Sequence, residues 1–97
     1  MHEGHLMVED YEKFEKSFLK LLGQLRPNLS SEEQREIAEY INQNEFEAAL
    51  ETLVDILAGK NTPVPASCTQ AAAKIAKALE MPSELTRIQK ELTKRTG

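Results

Sequence analysis

Apolar residues recur every three or four positions along most of this chain, and that spacing is the strongest constraint on its fold. In the segment 46–57, apolar residues hold the spacing i, i+3, i+4 and i+7 over three turns. The segments 11–25 and 68–79 show the same helical period. No segment shows the alternation of β-branched and polar residues that is typical of a strand. The sequence therefore predicts an all-α fold, a single-domain irregular bundle of about five short helices.

Local signals predict where the first two helices end and begin. Pro27 ends the first helix, which starts near residue 8, because the residue before a proline avoids helical backbone. Ser30 followed by Glu33 predicts a capping box at the start of the second helix. Ser31 followed by Gln34 is the alternative pair for the same box.

Single residues predict the ends of the later helices. Asn44 is expected to cap the third helix, Ser67 the fourth and Ser83 the fifth. Gly59 is expected to end the third helix in a left-handed conformation. Two prolines in the segment 60–66 predict a stiff, extended linker between the third and fourth helices.

The length of 97 residues fits one small domain, which we place at residues 8–97. Residues 1–7 show no pattern and are expected to form a disordered tail. The chain has no apolar run near the ~18 residues that a membrane span needs, and no secretory signal at its start. A single cysteine leaves no internal disulfide. These features predict a soluble protein of the cytoplasm.

Residues that usually carry catalysis or hold a metal are sparse. His2 and His5 are the only histidines, and their i, i+3 spacing comes with no third ligand. Cys68 lies on an apolar stripe, which indicates a buried core residue rather than a reactive thiol. The four glycines are scattered and form no phosphate-binding loop. We therefore expect no enzymatic activity, no cofactor and no metal site.

Charge is distributed unevenly along the chain. The net charge of −4 combines −8 in residues 1–55 with +4 in residues 56–97. The 24 residues from Glu36 to Gly59 contain six acids and no lysine or arginine. Like charges at i, i+4 destabilise a helix by a few tenths of a kcal/mol per pair, and no base in this stretch offsets them. The pattern argues against nucleic acid or an anionic membrane as the partner of this half, and favours a basic partner or simple solvation.

The acids share the outer faces of the second and third helices when residues are placed at about 100° intervals. The short connection 42–44 is expected to make the two helices neighbours in a hairpin, with their outer faces merged into one negative surface. Tyr40 either belongs to the buried stripe of the second helix or anchors a partner at the edge of this surface. We expect a protein partner to contact Glu36, Glu39, Tyr40, Glu47, Glu51, Asp55 and Arg35.

Two stretches of this hairpin resemble the MafI-type immunity proteins, which are small bacterial proteins of polymorphic-toxin and contact-dependent growth inhibition systems. The stretches are SEEQREIAEYI, residues 31–41, and NEFEAALETLVDIL, residues 44–57. The resemblance rests on an isoleucine that closes one helix, an Asn-Glu-aromatic turn, and an Ala-Leu-x-x-Leu helix rich in acids. It extends over roughly residues 30–82, where the proline-containing linker and the following helix also correspond.

The resemblance implies a non-catalytic immunity protein that neutralises a cognate toxin domain delivered by a neighbouring cell. Such toxins are often nucleases, for example RNases, whose basic active sites an acidic hairpin would suit. Two alternatives stay open. One is a structural or regulatory helical module that acts by self-association or by docking in a larger assembly. The other is a nucleic-acid binder that uses Lys74, Lys77, Arg87, Lys90, Lys94 and Arg95.

Overall fold

The structure, a computed structural model, describes residues 8–60 and 62–93, with side chains from Asp10 onward. It contains five α-helices: α1 Val8–Gln24, α2 Ser31–Asn42, α3 Phe46–Ala58, α4 Ala66–Ala78 and α5 Pro82–Arg87. A 3-10 turn, Arg26–Asn28, follows α1, and α5 continues into a π-helical turn, Ile88–Leu92. The predicted all-α bundle of about five helices is therefore confirmed.

Several predictions fall on residues outside this description. They concern the tail of residues 1–7, which includes His2 and His5, and the terminal bases Lys94 and Arg95. Within the described residues, none of the helices combines the length and the apolar character needed to cross a membrane.

One hydrophobic core lies between the helices, and α3 is its centre. Six of the 13 residues of α3 are buried, and α3 packs against α2, α4, α5 and the π-helical turn. Phe46, in its first turn, lies against three aromatic rings of α1 with ring centroids 5.4 to 6.0 Å apart. These three rings belong to Tyr11, Phe14 and Phe18. Cys68 also lies in the core, as predicted.

The start of α2 follows the prediction from Ser30. The backbone N–H of Glu33 donates to Ser30 Oγ at 3.1 Å, and the backbone N–H of Ser30 donates to Glu33 Oε1 at 2.8 Å. Ser31 is the first residue of the helix rather than its cap. The first of the two alternative capping boxes is therefore the one that forms.

The prediction that Asn44 caps α3 is wrong, because this residue ends α2 instead. Asn44 has a left-handed conformation with φ 59°. The N–H of Glu45 donates to the carbonyl of Tyr40 at 2.8 Å, which is the long hydrogen bond of a Schellman helix end. Glu45 then precedes α3 without a side-chain cap. Asparagine tolerates left-handed backbone, so Asn44 can end α2 and redirect the chain towards α3 without a glycine.

Three other predicted helix ends are wrong. Gly59 has φ −79°, so α3 ends without a left-handed residue. The fourth helix begins directly after Pro65, which places Ser67 inside its first turn. The fifth helix begins at Pro82, so Ser83 is also a helical residue. A proline suits the first turn of a helix because its missing N–H needs no partner there.

The segment that links α3 to α4 is held against the connection between α1 and α2. Val64 is only 1% exposed and belongs to the core. Asn28 Nδ2 donates to the carbonyl of Pro63 at 2.9 Å. Lys60 Nζ donates to the carbonyl of Asn28 and to Glu33 Oε1, each at 2.6 Å. The hydrogen bond from Lys60 is the main cause of the lowered pKa of Glu33. The ammonium group of Lys60 is therefore bonded to the capping box of α2.

Candidate functional site

The predicted hairpin of α2 and α3 is present, with the two helices packed on each other after a three-residue turn. Ile37 and Ile41 point into the core from α2, and the buried stripe of α3 does the same. Because both helices bury one face, their acids are left on the solvent side. The five acids predicted as contacts are all exposed: Glu36, Glu39, Glu47, Glu51 and Asp55.

The α2 acid patch consists of Glu32, Glu36 and Glu39. These residues line an open groove of about 530 Å³ together with the capping box of α2. Arg35 is the one cation in the lining of this groove, and it also lines a second groove between α1 and α2. That second groove contains Leu19, which is 49% exposed. Arg35 therefore lies at the edge of the α2 acid patch.

The α3 acid patch consists of Glu47, Glu51 and Asp55. Glu47 and Glu51 line a groove of about 380 Å³ whose other wall is the start of α5. No residue is shared between this lining and that of the groove at the α2 acid patch. The acids thus border two different grooves, one on α2 and one between α3 and α5.

A cation from α5 neutralises one end of the α3 acid patch. Arg87 forms an ion pair with Asp55 and also lies 4.0 Å from Glu84 Oε1. The hydrogen bond with Asp55 is the main cause of a raised pKa of Arg87. The stretch that contains α3 has no base of its own, but the packing of α5 brings a base that is distant in sequence to Asp55.

Glu84 is a member of this site that the sequence reasoning did not single out. Its side chain is 14% exposed, and its Oε1 is buried without a hydrogen-bond partner in the described part of the chain. Burial raises the pKa of Glu84; Arg87 opposes the rise, while Glu51 and Asp55 add to it. The only sequence signal was the i, i+3 spacing of Glu84 and Arg87, which does not show that α3 lies beneath them.

Tyr40 is half-buried and packs against the core. Only part of this side chain is therefore available to a partner. Its backbone carbonyl accepts the hydrogen bond that closes the hairpin turn, so the residue also has a structural role.

Most of the predicted acids lack a cationic partner within the described residues. The ion pairs of these residues join Lys60 to Glu33, and Arg87 to Asp55 and Glu84. They leave four of the five predicted contact acids without an ion pair, although Arg35 lines the same groove as the two on α2. These four are Glu36, Glu39, Glu47 and Glu51.

Across residues 8–60 and 62–93, no three side chains of the His, Cys, Asp and Glu types are grouped so that they would hold a metal ion. Comparisons with protein-family models, with curated proteins and with solved structures return no match. The two acid patches are therefore interpreted from their own geometry and charge.

Proposed function

We propose that this protein is an immunity protein that binds and neutralises the cognate toxin domain of a polymorphic-toxin or contact-dependent growth inhibition system. The observation that carries the proposal is the set of four exposed carboxylates on one hairpin that have no cationic partner among the described residues. Like charges on successive turns destabilise an isolated helix, so their presence on both helices favours a role at an interface. The resemblance of the same hairpin to MafI-type immunity proteins supplies the functional class.

A nuclease toxin is the partner that this charge pattern suits best. A nuclease binds phosphates through lysine and arginine, and carboxylates form charge-assisted hydrogen bonds with the same side chains. The hairpin would then compete with nucleic acid for the basic cleft of the toxin. The complex has 1:1 stoichiometry in this proposal and forms in the cytoplasm, where such a toxin finds its substrate.

The two acid patches have different roles in this complex. The exposed α2 acid patch is open to solvent and contributes mainly to the rate of encounter, because rim charges steer association. Arg35 borders it, and Tyr40 on the same helix is partly exposed; both are residue types that are frequent in binding hot spots. The groove of the α3 acid patch has the start of α5 as its other wall and offers a second place for a cationic side chain.

The experiment uses the toxin domain encoded by the neighbouring upstream reading frame. We expect the wild-type protein to protect cells that express this domain and to co-purify with it. The test variant carries Glu36→Lys, Glu39→Lys, Glu47→Lys and Glu51→Lys. Asp55 is left unchanged because its reversal would also break the ion pair with Arg87.

The matched control separates the acid patches from net charge. It carries four reversals of acids outside the hairpin, at the exposed Glu12, Glu80 and Glu91 and at the half-buried Glu15. We expect the test variant to lose protection and co-purification while the control keeps both, with equal helical circular dichroism for the two proteins. Protection by the test variant would show that the acid patches are not the binding surface. If the wild-type protein does not bind the toxin domain and forms oligomers in a sedimentation experiment, the result would support the structural-module alternative.

A further inference from the structure

A further groove lies between α1 and α4, two helices that contribute no residue to either acid patch. It is a groove of about 370 Å³, which is within the range of about 300 to 1,000 Å³ typical of ligand sites. Its exposed lining is mostly apolar. The lining residues are Asp10, Lys13, Phe14, Ser17, Ala71, Lys74, Ile75 and Ala78.

The groove exists because α4 presents alanines where it faces α1. Ala71 and Ala78 are too small to fill the space beside Phe14, so the two helices leave a trough between them. Cys68 Sγ, near the start of α4, lies 3.6 Å from Gln24 Oε1 at the end of α1, so the helices run antiparallel. The lining covers about two turns of each helix, or roughly 10 Å.

The length of the groove indicates what shape of ligand would fit it. An amphipathic helix that docks in a groove anchors through apolar side chains at i, i+4 and i+7, which also extend over about 10 Å. The occupant would complete the packing that the alanines leave open, as a third helix beside α1 and α4.

The charged side chains at the rim of the groove indicate the chemistry of a ligand that would bind there. Lys13 on α1 and Lys74 on α4 stand on opposite walls, and both are exposed. Neither forms an ion pair within the described residues. Among the described residues, Asp10 is the one acid in the lining, and it already has an interaction partner. A helix with Asp or Glu on either side of its apolar stripe therefore matches this rim.

We propose that the groove between α1 and α4 is a docking site for an acidic amphipathic helix of a partner protein. The inference is independent of the proposed function, because the groove shares no residue with either acid patch. It gives the protein two binding surfaces of opposite charge preference: the hairpin for a basic partner and the α1–α4 groove for an acidic one.

The test uses a display library of 18-residue helices with leucine fixed at i, i+4 and i+7 and the flanking positions randomised. Selection against the full chain is expected to enrich Asp and Glu at the flanks of the leucine stripe. An enriched peptide is then synthesised with a fluorescent label, and its Kd is measured by anisotropy against four variants and the wild type.

The variants separate the groove from the general surface. Ala71→Leu with Ala78→Leu fills the groove, and Lys13→Glu with Lys74→Glu reverses its rim; each pair is expected to weaken binding at least tenfold. Lys16→Glu with Lys77→Glu makes the same charge change on exposed residues of α1 and α4 outside the lining, and Ala66→Leu adds bulk at the exposed start of α4. Both controls are expected to stay within about twofold of the wild type.

Three results would overturn the proposal. They are a selection that enriches no helix, one that enriches Lys or Arg at the flanks, and binding that survives both groove variants while circular dichroism shows them folded. A concentration-dependent dimer that Ala71→Leu with Ala78→Leu dissociates would also overturn it, since the occupant would then be a second copy of this chain.

Discussion

At the scale of single residues, Glu84 links the stability of the protein to the candidate site. Its carboxyl group is largely buried, and its near neighbours are Glu51 and Asp55 on α3 and Arg87 on α5. Burial disfavours the ionised form, so the folded protein binds this proton more tightly than the unfolded chain does. Glu33 behaves in the opposite way, because Lys60 lowers its pKa and favours the ionised form in the folded state.

We expect Glu84→Gln to increase the free energy of unfolding at pH 7. A neutral amide replaces a buried carboxylate and removes the desolvation cost of its charge, so the gain is expected to exceed the ~0.5 kcal/mol that a surface substitution usually causes. In the wild type, a raised folded-state pKa makes the Glu84 contribution more favourable as the pH falls from 7 towards the ordinary value of 4.5, and the variant lacks this gain. Urea unfolding at pH 7 and pH 5 measures both effects.

The control for this prediction is Glu91→Gln, which changes an exposed acid on the π-helical turn. It is expected to leave the stability at both pH values within about 0.5 kcal/mol of the wild type. If Glu84→Gln shows the same pH dependence as the wild type, the pKa of Glu84 does not differ between the folded and unfolded states and the interpretation of this residue is wrong.

At the scale of helices, the ends of α2 and α4 are closed by residues other than glycine in left-handed backbone. Asn44 follows α2 with φ 59°, and Glu80 follows α4 with φ 57°. The N–H of Met81 donates to the carbonyl of Ala76 at 2.9 Å, which repeats the hydrogen bond at the end of α2. Both ends are Schellman motifs, but glutamate tolerates the left-handed position less well than asparagine does.

Glu80→Gly is therefore expected to stabilise the protein by about 0.5 to 1 kcal/mol, because glycine adopts left-handed backbone without a steric cost. Asn44→Gly is the comparison, and its effect is expected to be smaller since asparagine already suits that position. Thermal or urea unfolding of the two variants gives the difference. A loss of stability in Glu80→Gly would contradict the account of this helix end.

The helices themselves could be predicted from the sequence, whereas several of their ends could not. Amphipathic stripes such as the one from Phe46 to Leu57 follow from a period that the local sequence contains. The choice of a cap depends on how the chain enters the helix, and packing fixes that entry. Asn44 is drawn into the hairpin turn while Phe46 is buried against α1. Val64 lies alone between prolines, so no period predicted its burial.

At the scale of the whole molecule, the sequence predicted which acids are exposed but not how they are grouped. The exposure of Glu36 and Glu47 follows from their positions opposite the buried stripes. The division into two patches depends on α5, which packs beside α3 and brings Glu84 and Arg87 to Asp55. No local pattern encodes such a long-range contact. The same holds for the α1–α4 groove, which depends on how two distant helices pack.

The central claim is that the hairpin acids attract a basic toxin domain, and the salt dependence of the association rate tests it most directly. Stopped-flow mixing of the wild type with the toxin domain of the neighbouring reading frame, at several ionic strengths, gives this dependence. We expect the rate constant to fall steeply with added salt, because screening weakens attraction between opposite charges. Glu36→Lys with Glu39→Lys, which reverses two charges of the α2 acid patch, is expected to slow association about tenfold or more at low salt and to flatten the slope. A rate constant and a slope equal to those of the wild type would contradict the claim.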